Sequence, residues 1–542
     1  MTSGWTLVRR LQASTPSGDG ARRAAAIAVL VCQLAALTIV VGGPGALGFP
    51  LDDAWIHALA ARTLVEHGTL GIVPGAHGSG ATSTLWALLL AVGEALGAPA
   101  PVFALALNTV LFVLAGQCVL HLLLADGHSP RAAAIAAIGF GAAPNFVWFA
   151  ASGMEATLFA ALSTAAIACW YSPRPGPRRL TGVALGALAL TRPEAVALVP
   201  LLALLRRPTT LREAGALLGV PALAVLAHAG VALVATGSAL PTTLAGRRWM
   251  WIGPLEGSSA TGRVVLLLDD WLDRLGEFTL GSHDSFGAWL ALGLCAWGAA
   301  DAWTKPGSRA LLLFCLLHLA VYAVLLPTLG HGGRYQPLVP ATFGWLLCLG
   351  TLRLVRDGLD ALGPKRATPA RIAIAIVALV LVALGPGRAL FAWRVAHRDA
   401  VTHIERTEVA MGHVVARLPE TARVASFDIG GIGYHARRPI LELGGLTSNA
   451  IVPLLRQGRV AEYLERHAID YVVLPIGLGG ERVPEPWNFS YRLGLLQATG
   501  IELEPVATLE SALDLWRSGL RATLHCAPRQ TLYRVRYAGG GP

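Results

Sequence analysis

Two adjacent carboxylates, Asp52 and Asp53, follow the first apolar run of the chain, in Pro-Leu-Asp-Asp-Ala-Trp-Ile-His. A carboxylate held in place can act as a general base, and a pair can hold a divalent metal. His57 and His77 lie further along and could join the acids on a metal; ordinary surface histidines are the alternative. Because only 14% of the residues are charged, two adjacent acids near a membrane surface indicate function.

The same two acids begin a helical pattern, and this allows a second interpretation. Apolar residues recur at helical spacing from Ile56 to Leu64, and Gly68 marks the predicted end. Aspartate is a preferred N-cap, and a second aspartate in the first turn suits the helix dipole. Capping and catalysis are compatible, because a capping carboxylate is held rigidly.

Further acids and arginines come from segments that are far apart in the sequence. Arginine suits phosphate because its planar guanidinium donates two parallel hydrogen bonds. The candidate phosphate ligands are Arg192 in Thr-Arg-Pro-Glu, the adjacent Arg247 and Arg248, and Arg334 in His-Gly-Gly-Arg-Tyr. The candidate substrate contacts are His57, Glu155, Glu194 and Tyr335.

The composition places these residues in a membrane protein. Of the 542 residues, 54% are hydrophobic, and long apolar runs recur along the chain. The net charge of +10 does not indicate nucleic-acid binding, because the basic residues cluster in short loops between apolar runs. The seven cysteines include no CxxC pair and suggest no disulfide framework.

The distribution of basic residues predicts the topology. The positive-inside rule favours a cytoplasmic tail at 1–23 and about eleven spans within 24–394, with an outer loop at 44–100 carrying the acids. In this arrangement the apolar helix at 84–97 lies on the outer surface, and the short runs 180–191 and 194–205 are two spans or a re-entrant pair. The predicted spans are 24–43, 101–124, 132–150, 156–170, 180–191, 194–205, 211–236, 286–304, 310–327, 336–352 and 372–391.

The last part of the chain differs in character. Charge rises after residue 394, and strand-like runs such as Tyr471-Val-Val-Leu alternate with helical patterns. We therefore expect a mainly α, polytopic helical membrane bundle followed by an extracytoplasmic α/β domain at 395–542. This domain has no nucleophile elbow and no phosphate loop.

The order of motifs resembles a known family. A first span is followed by Asp-Asp-Ala-Trp-Ile-His-Ala-Leu-Ala-Ala-Arg-Thr-Leu, then Gly-Ala-Thr-Ser-Thr-Leu-Trp, Ser-Gly-Met-Glu and Leu-Thr-Arg-Pro-Glu. This series resembles the GT-C superfamily of membrane glycosyltransferases, especially bacterial arabinofuranosyltransferases and protein O-mannosyltransferase-like members. The resemblance covers roughly residues 24–475.

The resemblance implies an activity and a location. It implies a multi-pass protein of the bacterial inner membrane, with its active site on the extracytoplasmic side. The enzyme would transfer a sugar from a polyprenyl-phosphate donor to a glycan, lipid or protein acceptor, with inversion at the anomeric carbon. Nucleic acid would not be a partner. The first acid of the pair, Asp52, corresponds to the general base. The resemblance allows a divalent metal to bind near Asp52 and Asp53 but does not require one.

Two other classes compete with this interpretation. A lipid or glycan transporter would carry its polar sites at mid-membrane, with repeats and broken helices in matching halves. The sequence instead places its acids in an outer loop and has no evident repeat. A catalytically inactive envelope-assembly protein is the third class, and the intact acid pair argues against it.

Overall fold

The computed structural model describes residues 16–43, 46–75, 80, 83–236, 243–255, 258–276, 286–362, 383–477, 488–511 and 527–538, with a few positions between 369 and 377. His77 and most of the first half of the predicted span 372–391 lie outside the described residues.

Helices dominate the chain up to residue 415. The α-helices are Pro16–Val41, Asp52–His67, Thr84–Ala95, Ala100–Ala125, Pro130–Gly141, Pro144–Ala151, Ala156–Trp170, Pro175–Arg178, Thr181–Thr191, Leu198–Leu205, Leu211–Ala214, Val220–Thr236, Thr243–Ile252, Ala260–Gly276, Phe286–Trp303, Pro306–Leu325, Leu338–Leu362, Arg388–Ile404 and Ala410–Val415. The 3₁₀ turns are Pro193–Ala197, Gly253–Leu255 and His331–Gly333, and π-helical turns occur at Gly215–Gly219, Ala383–Gly387 and Glu405–Val409.

Several of these helices can cross a membrane. Within the described residues, five are long and apolar enough, and a pair bent by 59°, Pro130–Gly141 and Pro144–Ala151, adds a sixth crossing if it counts as one span. The chain is therefore a multi-pass membrane protein, as predicted; the count of about eleven spans stays a prediction. Helix Thr84–Ala95 has 12 residues. It is about 18 Å long, which is short of the roughly 30 Å hydrocarbon core.

A mixed five-stranded sheet follows the helical bundle. Its strands are β1 (Val424–Ser426), β2 (Ile440–Glu442), β3 (Tyr471–Ile476), β4 (Ile501–Glu510) and β5 (Arg529–Tyr537), in the order β2-β1-β3-β5-β4. β1 is parallel to β2 and β3, whereas β5 is antiparallel to β3 and β4. Central β3 is almost wholly buried, as its continuous apolar sequence predicts. Helices Gly430–Ala436, Val452–Gln457, Val460–Arg466 and Phe489–Arg492 connect the strands.

The sheet unit and the bundle are closely joined. Helix Arg388–Ile404 continues through Glu405–Val409 into Ala410–Val415, so it runs across the predicted domain boundary at 394. Trp393 of this helix stacks on Trp148, with ring centroids 4.7 Å apart. The bundle and the sheet unit are therefore joined by one continuous helical segment.

Candidate active site

The helix Asp52–His67, called the acid helix below, begins with the paired carboxylates. Its N-cap residue is Leu51, and no side chain caps it. The interpretation of Asp52 as the N-cap of its own helix is therefore wrong. The acid helix packs against helix Gly430–Ala436, where the Trp55 ring lies 4.8 Å from the ring of Tyr434. This packing brings Asp52 to the start of a second helix.

Asp52 is bound by the backbone of the C-terminal unit. Its two carboxylate oxygens accept hydrogen bonds from the backbone N–H groups of Gly430 and Gly431, at 2.9 and 2.7 Å. Helix N-termini carry unpaired N–H groups and attract negative charge. A Cβ at Gly430 would lie 2.1 Å from the Asp52 carbonyl oxygen, so only glycine allows this approach. Asp52 is thus fixed in position, which suits a general base.

Further acids surround Asp52 on the side of the sheet. Burial, together with the nearby charge of Asp428, raises the pKa of Asp52 to about 7. Burial and the charge of Asp52 likewise raise the pKa of Glu408 to about 8. The Gln530 side-chain amide donates to both Asp428 and Glu408, at 2.6 and 3.3 Å. Asp52 therefore titrates near neutral pH, so a large fraction is deprotonated there and still basic enough to take a proton.

Asp53 points to a different set of partners. Its carboxylate accepts from the Arg334 guanidinium at 2.5 Å, and His331 lies 3.9 Å from the same oxygen. Burial acts to raise the pKa of Asp53, but the charges of Arg334, His331 and Arg247 outweigh it and lower the pKa. Asp53 is therefore ionised and a weaker base than Asp52.

A buried ion pair anchors the segment that carries Arg334. The Arg192 guanidinium donates two bonds to Glu155, the shorter at 2.8 Å. It also donates to the backbone carbonyls of Arg334 and Tyr335, at 3.0 and 2.9 Å. His57 of the acid helix lies 3.4 Å from the other Glu155 oxygen. Arg192, Glu155 and His57 together hold residues 331–335 against the acid helix.

Arg247 completes the cationic side of the site. Its guanidinium lies 5.5 Å from the Tyr335 ring centre, and Arg334 lies 5.2 Å from the same ring. Burial acts to lower the pKa of Arg247, but the neighbouring Tyr335 and Asp53 raise it, so Arg247 stays charged. Two arginines thus flank one tyrosine, and both charges act on Asp53, an arrangement that can accept an additional anion.

Two predicted site residues have other surroundings. Arg248 is exposed, and its guanidinium donates to the Leu325 carbonyl at 3.3 Å. Glu194 accepts a hydrogen bond from the Tyr322 hydroxyl at 2.8 Å, with His318 3.9 Å away. Tyr322 stacks on Tyr335 with ring centroids 5.7 Å apart, so Glu194 adjoins the cationic side through that tyrosine.

The acid pair does not converge on one metal. Asp52 is bound by Gly430 and Gly431, whereas Asp53 is bound by Arg334. In the part of the chain that the structure describes, no three histidine, cysteine or acidic side chains are grouped so that they could hold a metal ion. The residues present therefore do not fit a metal site shared by Asp52 and Asp53.

Two residues of this site, Glu408 and Gln530, have no signal in the sequence. Glu408 and Gln530 lie beside Asp52 and Asp428, although 122 residues separate them along the chain. Neither belongs to a motif. Asp428 carries a weak signal in the sequence, because it lies two residues after β1 in Phe-Asp-Ile-Gly-Gly, where a polar residue is equally typical of a turn.

Comparisons with known proteins agree with this architecture. A family described only as a domain of unknown function, DUF8728, matches residues 399–518. No protein of curated function matches the sequence. Among solved structures, ArnT from Cupriavidus metallidurans bound to undecaprenyl phosphate is 13% identical, with a TM-score of 0.54; the similarity covers 95% of this chain and 99% of ArnT.

Two further glycosyltransferases are similar. The oligosaccharyltransferase AglB from Archaeoglobus fulgidus, in complex with an inhibitory peptide and a dolichol-phosphate, is 13% identical with a TM-score of 0.56; 92% of this chain and 77% of AglB are covered. The chain has a GT-C fold. AftD from Mycobacteria, an arabinofuranosyltransferase, is 17% identical, with 95% of this chain and 41% of AftD covered. Its TM-score of 0.49 is too low to support the assignment of the fold.

The GT-C fold confirms the architecture that the sequence predicts. A helical membrane bundle precedes a C-terminal sheet of five strands. Within this fold the described residues place an acid of raised pKa, Asp52, beside a second acid that is paired with Arg334.

Proposed function

We propose that this protein is a membrane glycosyltransferase that transfers a sugar from a polyprenyl-phosphate donor to an acceptor hydroxyl. The GT-C fold supports this class, and ArnT and AglB are described in complex with undecaprenyl phosphate and dolichol-phosphate. The observation that carries the proposal belongs to this chain. A fixed carboxylate of raised pKa, Asp52, adjoins a cationic pair, Arg334 and Arg247, and Asp53 holds Arg334 by an ion pair.

The two sides of the site perform different parts of the reaction. The acceptor oxygen attacks the anomeric carbon of the donor, and its proton passes to Asp52. The bond between that carbon and the phosphate oxygen breaks with inversion, and polyprenyl phosphate leaves. Charge develops on the leaving phosphate, so Arg334 and Arg247 stabilise the transition state more than the ground state.

Asp53 has a supporting role in this proposal. Its ion pair with Arg334 holds the guanidinium in place before the donor binds. Arg192 is engaged by Glu155 and by two carbonyl groups, so it positions the segment 331–335 and leaves phosphate binding to Arg334 and Arg247. Of the four arginines that the sequence suggests, these two are the proposed phosphate ligands.

The proposed location follows from charge. Basic residues such as Arg174, Arg178 and Arg206 lie in segments on the opposite side from the acid loop in the eleven-span topology. We therefore place the site and the C-terminal unit outside the cytoplasm, on the inner membrane of a bacterium. The acceptor is a glycan, lipid or protein of the cell envelope.

Neighbouring arginines provide a matched test. The purified full chain, reconstituted in nanodiscs, is titrated with undecaprenyl phosphate. Arg247→Ala should weaken binding about tenfold, the loss of one charge-assisted contact. Arg248→Ala removes the same charge from an exposed position and should bind like the wild type. Equal affinities for both variants and the wild type would place the phosphate elsewhere.

Transfer is tested separately from binding. The wild-type protein is incubated with a panel of radiolabelled polyprenyl-phosphate sugars and envelope extract as the acceptor source. The expected result is that labelled sugar leaves the lipid donor and is incorporated into a polymer, lipid or protein fraction. Vesicle-to-vesicle movement of the intact lipid without release of sugar would instead indicate a transporter.

A further inference from the structure

The helix Thr243–Ile252, called the bridging helix below, contacts the two halves of the molecule with opposite faces. Residues three or four apart share a helix face. Arg247 and Trp251 share one face, and their side chains lie at Tyr335 and His331, with the Trp251 and His331 rings 5.9 Å apart. The bridging helix therefore presents Arg247 to the cationic side of the site.

The other face of the bridging helix packs on the C-terminal unit. A Cβ at Gly246 would lie 2.3 Å from the Gly444 carbonyl oxygen, so the two backbones are in direct contact. The indole N–H of Trp249 donates to the Leu455 carbonyl at 3.1 Å, and the side chain is 7% exposed. This face is fixed by contacts with the loop and helix that follow β2.

That loop has its own buried support. The Glu442 carboxylate accepts backbone N–H groups from Gly444, Leu446 and Thr447, at 2.5, 2.7 and 3.1 Å. The side chain is almost fully buried at 1% exposure. The surface that receives Gly246 is therefore rigid.

Arg492 fastens the end of the bridging helix. Its guanidinium donates to the carbonyls of Trp249 and Met250, at 2.5 and 3.1 Å, and lies 4.2 Å from the Trp249 ring centre. The last carbonyls of a helix have no partner within it, and a cation there also interacts favourably with the helix dipole. Arg492 supplies both the donors and the charge from the C-terminal unit.

We propose that Arg492 is a positioning residue, which fixes the bridging helix and through it sets Arg247 at the phosphate site. This inference rests on the proposed function, because Arg247 matters only if it binds the donor phosphate. It gives the C-terminal unit a defined role: this unit completes the active site by holding one of its cations. A displacement of about 1 Å in such a group can lower the rate about a hundredfold.

The first experiment measures donor binding by the full chain in nanodiscs, with undecaprenyl phosphate as the probe. Arg492→Ala should weaken binding about tenfold. It should also lower kcat at saturating donor, because the displaced Arg247 stabilises the transition state more than the ground state. Arg492→Lys keeps the charge but loses the planar two-bond geometry and should recover part of the affinity. Arg456→Ala, at an exposed arginine of the same unit, is the matched control.

A double-mutant cycle then connects the two arginines. Arg247→Ala with Arg492→Ala should bind no more weakly than Arg247→Ala alone, because both changes remove the same contact. Additive losses would overturn the positioning role. Wild-type affinity for Arg492→Ala, while Arg247→Ala is weakened, would also overturn it and leave the proposed function standing.

Hydrogen exchange keeps the inference testable if the phosphate site is wrong. Amides of residues 243–252 should exchange faster in Arg492→Ala than in Arg456→Ala or the wild type. If Arg247→Ala leaves phosphate binding unchanged, the phosphate site assigned to Arg247 is wrong, and faster exchange still supports the role of Arg492 in holding the helix. Unchanged exchange overturns that fastening. If Arg492→Ala does not fold, Arg492→Lys is measured in the same way.

Discussion

The carboxylate of Asp52 accepts a hydrogen bond at 2.7 Å from the backbone N–H of Gly431, a residue 379 positions further along the chain. One bond thus links the start of the acid helix to the C-terminal sheet unit. It fixes the candidate base with a backbone N–H that any residue other than proline at position 431 would keep. The C-terminal unit is consequently part of the site.

The first prediction concerns the proposed base. Asp52→Asn should reduce sugar transfer about 10²–10⁴-fold, because the amide cannot take the acceptor proton. Single-turnover transfer measures this, with undecaprenyl-phosphate binding as the check that the site is intact. The amide also faces two N–H donors with only one oxygen, so the melting temperature should fall by a few degrees.

Asp53→Asn is the comparison for that variant. It removes the partner of Arg334 and leaves Asp52 unchanged, so transfer should fall less than in Asp52→Asn. Wild-type transfer by both variants would show that the acid pair is structural. A larger loss in Asp53→Asn would reverse the assignment of the base.

The second prediction is the pH dependence of transfer. A base must be deprotonated, so the rate should rise with pH through about 7, the pKa to which burial and Asp428 raise Asp52. Asp428→Asn removes the negative neighbour, so the rising limb should move to lower pH by about one unit. Glu420→Gln removes the same charge at an exposed position and should leave the limb in place. An unshifted limb in Asp428→Asn would contradict the assignment.

The third prediction separates a positioning arginine from a phosphate ligand. Arg192→Ala should destabilise the protein by about 3–5 kcal/mol, because it leaves the buried Glu155 charge without its partner. Glu155→Gln added to Arg192→Ala should recover part of the lost melting temperature. Full stability of Arg192→Ala, with loss of undecaprenyl-phosphate binding alone, would instead make Arg192 a phosphate ligand.

The fourth prediction tests the topology. A cysteine at exposed Arg456, in the C-terminal unit, should react in intact cells with a thiol reagent that does not cross the membrane. A cysteine at exposed Gly176 should react only after the cells are opened. The variants are made in a background whose native cysteines are replaced. Labelling of the Gly176 site in intact cells would contradict the proposed topology.

The sequence by itself determined the class of fold and the main candidate residues. Long apolar runs can only be helices in a bilayer, so helical spans followed from composition. The acid pair, the four arginines and the later α/β pattern were visible because each departs from an apolar background. Helical spacing predicted the acid helix and its end at Gly68, whereas the helix begins at Asp52 with Leu51 as its N-cap residue.

Only the tertiary structure decided what each of these residues does. Asp52 and Asp53 are adjacent in the sequence, yet one meets backbone N–H groups and the other meets Arg334. Likewise, adjacent Arg247 and Arg248 differ in burial, because successive residues of a helix point about 100° apart. Glu408 and Gln530 belong to the site only because distant segments of the chain pack together there. Hydrophobic periodicity determines which face of a helix is buried, whereas long-range packing chooses its partners.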